Sequence, residues 1–180
     1  MTTMTNGLLD RYQNYRLRRW LLQEQRLSGL LPAWRTRGRR RALVVTVALT
    51  LAVMFVAGLL CAFELRFAAL AMLPAALIFL PAWGMLRIVS HVQDTAPNAT
   101  LDELEITQRD TARSIGLTVT QTLALPPVFY LIFSSSLFPH LSTFQTAYAG
   151  GVMVLATLLA GGCTPGMILG WNRLDPEPEV

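Results

Sequence analysis

The sequence predicts an all-α integral membrane protein: four transmembrane helices, paired as two antiparallel hairpins, behind an N-terminal amphipathic interfacial helix. Three observations predict it. First, uncharged apolar stretches fall at about 42–63, 67–86, 115–138 and 144–171. At about 1.5 Å of rise per residue, some 20 apolar residues cover a hydrocarbon core of roughly 30 Å. Second, 53% of the 180 residues are apolar and only 14% are charged, with a mean hydropathy of +0.43. A water-soluble domain would need more charge to cover its surface, whereas lipid-facing helices need none. Third, all 15 basic residues are arginines, and all but Arg66 fall on one side of the stretches.

Ten arginines precede the first span, ending in the run Arg35, Arg37, Arg39, Arg40, Arg41. Arg87, Arg109 and Arg113 flank the connection between spans two and three, and Arg173 follows span four. The other side keeps only Arg66. The positive-inside rule then places both termini and the middle connection in the cytoplasm, with the chain multi-pass in the cytoplasmic membrane. The first apolar run is full length and follows about 40 polar and amphipathic residues, so it reads as a retained signal anchor and not as a cleaved signal peptide.

Residues 1–41 read as a cytoplasmic basic amphipathic arm. Leu8, Tyr12, Tyr15, Leu22 and Leu30 fall near one side of a helix over 7–31, with Trp20 and Leu27 at its margin. Such a helix suits the headgroup region, its arginine stems reaching anionic phosphates; a partner-binding helix has the same pattern. Pro32 and Gly38 are expected to interrupt regular structure before the basic run. Arg35, Arg37, Arg39, Arg40 and Arg41 determine topology and form a candidate site for anionic lipid headgroups, about 1 kcal/mol each near the surface. No nucleic-acid reading module accompanies them, so nucleic acid is not an expected partner.

Residues 42–171 form the expected four-helix transmembrane domain. Spans one and two are joined by little more than Glu64-Leu65-Arg66, which forces an antiparallel neighbouring pair. Pro74, Pro81 and the pair Pro126-Pro127 predict kinks. In the middle connection, Thr100-Leu101-Asp102-Glu103 matches a capping box, and Glu105 with Arg109 is a favourable i,i+4 pair. A cytoplasmic helix at about 101–113 is therefore expected to run straight into span three. In span four, Gly162, Gly166 and Gly170 recur every fourth position, the small-xxx-small spacing that lets a neighbouring backbone approach closely. Residues 172–180 are acidic and proline-interrupted, an expected disordered tail.

Chemistry-bearing groups are sparse. No Asp, Glu, Lys, Arg or His lies near the middle of any stretch, and intramembrane ionisable residues are the usual functional pointer. His91 and His140 fall on opposite membrane faces and cannot ligate one haem iron. Cys61 and Cys163 sit near opposite ends of their spans, beyond disulfide reach, and read as small packing residues. Ser134-Ser135-Ser136 has no base beside it except His140. No catalytic residue, metal site or cofactor is expected.

The segment from Leu101-Asp102-Glu103 through Arg109-Asp110-x-Ala112, entering a span directly, resembles a motif of small actinobacterial multi-span membrane proteins of unknown function. There an acidic "LDE" helix start precedes an arginine-containing helix and a transmembrane hairpin. The likeness covers about 30 residues and implies no activity. The expected function is a non-catalytic accessory or scaffolding subunit of a larger membrane protein assembly, for instance a supernumerary subunit of a respiratory supercomplex. Its expected partners are membrane lipids, anionic headgroups included, and other membrane protein subunits. The alternative is a small homo-oligomeric transporter or channel whose pathway the proline pairs and Thr118, Thr120, Gln121 and Thr122 would line; Thr118, Gln121 and Thr122 share one helical face, from which Thr120 points away.

Overall fold

The computed structural model describes residues 36–90, 102–137 and 142–172, together with Arg11, Tyr15, Arg18, Leu21 and Leu22. These five are helical and exposed. The remainder of 7–31, Arg35, Thr100, both histidines and the 173–180 tail lie outside the described residues.

Four α-helices account for nearly all of it: α1 (Arg37–Ala62), α2 (Met72–Val89), α3 (Glu103–Leu137) and α4 (Thr143–Asn172). A 3-10 run, Arg66–Ala71, leads into α2. All four elements are long and apolar enough to cross a membrane, and no strand occurs among the described residues.

Helix α1 starts earlier than the sequence reading placed it. Gly38 lies inside its first turn and does not interrupt it. Glycine weakens a helix interior, but the first turn has no complete set of intrahelical bonds to lose. At the other end the chain closes a Schellman turn. The Glu64 amide donates to Cys61 O at 3.2 Å and the Leu65 amide to Leu60 O at 3.1 Å, with Glu64 at φ 67. This left-handed position favours glycine, because any Cβ there crowds the backbone.

In α2, Pro74 falls in the first turn, where its missing N–H has no intrahelical partner in any case; Pro81 is interior. The helix ends at Ser90, whose amide donates to Leu86 O at 2.9 Å. The cap of α3 sits two residues later than Thr100-x-x-Glu103. Asp102 occupies the cap: the Ile106 amide bonds Asp102 O at 2.9 Å, and Asp102 Oδ1 accepts from the Glu103 amide at 2.8 Å. Glu105 Oε2 returns to the Asp102 amide at 3.3 Å. Glu103 and Glu105 both lie at the positive end of the helix dipole. From there α3 runs unbroken through 35 residues. The expected continuous rod is therefore present, and its polar first turns extend beyond the apolar part that begins at Ile115.

Packing orders the helices α2–α1–α4–α3. Helix α4 lies against both α1 and α3, α1 lies against α2, and α2 touches α4 only lightly. The two central helices bury 44% of their most apolar stretch, α2 22% and α3 11%. The main core joins Leu43, Val47, Leu51 and Met54 of α1 to Phe79 and Leu86 of α2, with Ala156 and Cys163 from α4. Cys61 and Cys163 are both buried free thiols.

Replacing Glu64 by glycine is expected to stabilise the protein by about 1 kcal/mol, since it removes the left-handed penalty. A higher midpoint in thermal unfolding in mild detergent checks this; a lower one would sink the turn argument.

Candidate functional site at the arginine-rich end of the bundle

Helix α1 opens with a run of arginines at the positive end of its own dipole and has no acidic residue in its first turn. Electrostatics within the helix disfavours this placement. Successive residues turn by about 100°, which sends these side chains in different directions. Arg37 and Arg39 are exposed. Arg40 is only 2% exposed, because it shares the packed side with Leu43, Val44 and Val47. Arg41 lies over the Trp171 ring, 4.7 Å from its centroid. This cation–π contact ties the start of α1 to the end of α4. The four described arginines therefore do not form one exposed cluster. Arg37 and Arg39 are exposed, Arg40 and Arg41 belong to the packing, and Arg35 lies outside the described residues.

The third helix adds another buried arginine. Arg109 is 2% exposed and donates through Nε and Nη2 to Asp110 Oδ1, the latter at 2.9 Å. Arg113 Nη1 stands 3.9 Å from the same carboxylate oxygen. Arg109 falls in register with Ala112 and Gly116, the row that α3 turns towards α4. That row was readable from helical spacing, but its burial required knowing which side α4 covers.

The glycines of α4 divide between two neighbours. A Cβ at Gly166 would stand 2.9 Å from the Trp83 ring, and one at Gly170 would stand 3.0 Å from Leu86 Cδ1, both on α2. Gly162 meets nothing within 4 Å. It falls on an outward strip with Gly151, Leu155 and Leu158, all exposed. The close approach to α3 uses the residue before it: a Cβ at Gly161 would collide with Thr120 Oγ1, and one at Gly150 with Leu131. Gly116 of α3 completes this seam. A Cβ there would lie 2.9 Å from Gly161 O and 3.0 Å from the Pro165 ring. Pro165 has no N–H to bond the carbonyl four residues back, which is Gly161's. The bare Cα of Gly116 thus sits against the carbonyl that the proline leaves open.

Span hydroxyls mostly return to their own helices. Thr50 donates to Val47 O at 2.9 Å, Thr120 to Gly116 O at 2.7 Å, Thr157 to Val154 O at 2.8 Å and Thr164 to Ala160 O at 2.7 Å. Ser134 does the same with Leu131 O at 3.3 Å. A groove of about 340 Å³ lies over α4 between α1 and α3, walled by Phe55, Val56, Leu123, Ala160 and Met167 among others. Its lining is almost wholly apolar and offers no acid, base or metal ligand. Among the described residues no three His, Cys, Asp or Glu side chains gather as a metal site. Thr118, Gln121 and Thr122 are exposed on α3, on the side turned away from α4, while Thr120 is the one held in the seam.

A Gly161→Ala change is expected to lower stability by about 1–3 kcal/mol through overpacking against Thr120. Gly162→Ala should be neutral or stabilise by up to about 1 kcal/mol through helix propensity. Thermal unfolding of the two variants side by side checks the pair; equal destabilisation would contradict the assignment of Gly161 to the seam.

Comparison with protein-family models, with curated proteins and with solved structures finds no match for this chain.

Proposed function

We propose that this protein is a non-catalytic accessory or scaffolding subunit of a larger assembly in the cytoplasmic membrane. In this reading it crosses four times as two antiparallel hairpins, with both termini and the extension of α3 in the cytoplasm and the N-terminal arm along the interface. A supernumerary subunit of a respiratory supercomplex is one concrete instance. One observation carries the reading: the threonine hydroxyls of the spans mostly close onto their own helices, and Gln121 is turned outward. Neither arrangement serves chemistry inside the chain. Transport needs a polar or ionisable lining at depth, and the groove between α1, α3 and α4 is apolar. Lateral assembly, by contrast, uses outward polar groups to bond neighbouring helices in lipid.

The homo-oligomeric transporter or channel is the second reading, and its support was the polar face of α3. Gln121 lies outside the four-helix bundle, so no route within one chain passes it. A pathway would have to run between copies.

Anionic headgroups are the proposed lipid partners, met by Arg37 and Arg39 at the cytoplasmic end. Two exposed arginines near a negative surface are worth about 1 kcal/mol each. Replacing both by glutamine is therefore expected to lower cardiolipin retention by roughly tenfold or more in native mass spectrometry, and unchanged retention would remove this role.

Affinity purification from the native membrane in gentle detergent, followed by mass spectrometry, tests the main proposal. A stoichiometric membrane-protein partner is expected. Recovery of a clean monomer under several mild conditions would overturn it.

A further inference from the structure

We propose that two copies of this chain pair in parallel along the outward face of α3, each Gln121 carboxamide donating to the Thr122 carbonyl of the other. The inference rests on the lateral-assembly reading and names the first partner. It begins from an inversion. In lipid, a lone bundle turns polar side chains inward, because nothing outside can bond them. Here α3 buries Gly116 and Pro127, holds Thr120 half-buried against Gly161 of α4, and exposes Ser114, Thr118, Gln121 and Thr122. Thr118 closes onto Ser114 O at 3.1 Å. The Gln121 carboxamide is exposed one turn further on.

Backbone chemistry adds an independent demand at the same depth. Pro126 removes the donor that would bond the Thr122 carbonyl, and Pro127 removes the next one along. An open carbonyl in the hydrocarbon region costs several kcal/mol unless a donor is brought to it. Gln121 carries two N–H donors one residue away in sequence. Because every copy in a membrane has the same orientation, a two-fold contact through α3 is parallel and sets identical residues at identical depth.

Charge patterning selects a second copy over a different protein. Starting at Leu104, steps of four and three residues pick out Gln108, Thr111, Ile115, Thr118 and Thr122. The same steps continue to Leu125, Phe129 and Ile132. Every one of these positions is exposed, and none is charged. The extension nonetheless holds Glu103, Glu105, Asp110 and Arg113 between Leu104 and Ile115 or beside them, all off this stripe. In parallel self-pairing a charge on the seam meets its own like, so the seam must be free of charge. Alternating steps of three and four are also the spacing of a parallel coiled seam. Leu104, 67% exposed at the water-side start, becomes the first residue of that seam.

Oxidative cross-linking of the full-length protein in native membranes tests this. In a background with Cys61 and Cys163 replaced by alanine, single cysteines are placed at Thr111, Thr118 and Leu125, and at Arg113 and Leu117 as off-stripe controls. Covalent dimers are expected at the first three and not at the controls. Energy transfer between labelled copies in liposomes gives a second readout, in which Gln121→Leu is expected to weaken pairing about tenfold, the combined worth of the two symmetry-related interhelical hydrogen bonds. Monomers at all positions with no energy transfer overturn the proposal, as do dimers without the three-four periodicity. Cross-links from the stripe to a different protein also overturn it while leaving the accessory-subunit reading intact. If native purification yields no partner at all while the periodic dimers form, the larger-assembly reading fails and the self-pairing stands.

Discussion

Close approach between backbones is the constraint on which this structure depends. Lipid tails are as apolar as leucine, so burying leucine against leucine gives little drive for helices to associate within a bilayer. What remains is dispersion and hydrogen bonding, both of which fall off within an ångström or so. Helix α4 meets this by withholding side chains at several places: Gly150 and Gly161 towards α3, Gly166 and Gly170 towards α2. Helix α1 reciprocates at Gly58, where a Cβ would stand 2.9 Å from Met153 and 3.2 Å from Ala149 O. The central position of α4 is thus a consequence of which faces lack side chains.

Prolines are part of the same arrangement. Each one placed inside a helix leaves a carbonyl without its donor, and in hydrocarbon that group must find another. At Pro165 the opened carbonyl belongs to Gly161, and it faces the bare Cα of Gly116, where a Cβ would stand 2.9 Å from it. At Pro126 the opened carbonyl belongs to Thr122, on the exposed side of α3 that no other described helix covers. The first break is closed within the chain and the second is not. This difference separates an internal packing seam from a surface that looks for a neighbour.

Charge is confined to the ends. Arginines crowd the start of α1 and the first turns of α3, where two of them, Arg40 and Arg109, are drawn into the packing. Arginine tolerates this because its stem is apolar and its planar head offers several donors. The basic end therefore has two layers, one that holds helices together and one, at Arg37 and Arg39, that is solvent-exposed. A helix dipole pointing the same way adds to the positive potential there.

Hydropathy, capping and chain breaks determined much of the architecture by themselves: four long apolar helices, a short connection between the first two and the continuous α3. These follow from local chemistry, since span length, capping and chain breaks depend on near neighbours in sequence. Even so, the cap of α3 moved from Thr100 to Asp102, because two acidic residues beside each other both suit a helix start. The glycine ladder was legible as a contact surface but not as two surfaces. Gly161, one residue off the regular spacing, makes the tightest approach, and Gly162 faces outward, a distinction of 100° that only the position of α3 decides. Likewise Thr118, Gln121 and Thr122 could be placed on one face of a helix from spacing alone. Whether that face looked into a pathway or out of the bundle was left to tertiary structure, because periodicity fixes which residues share a side and only packing says what that side meets.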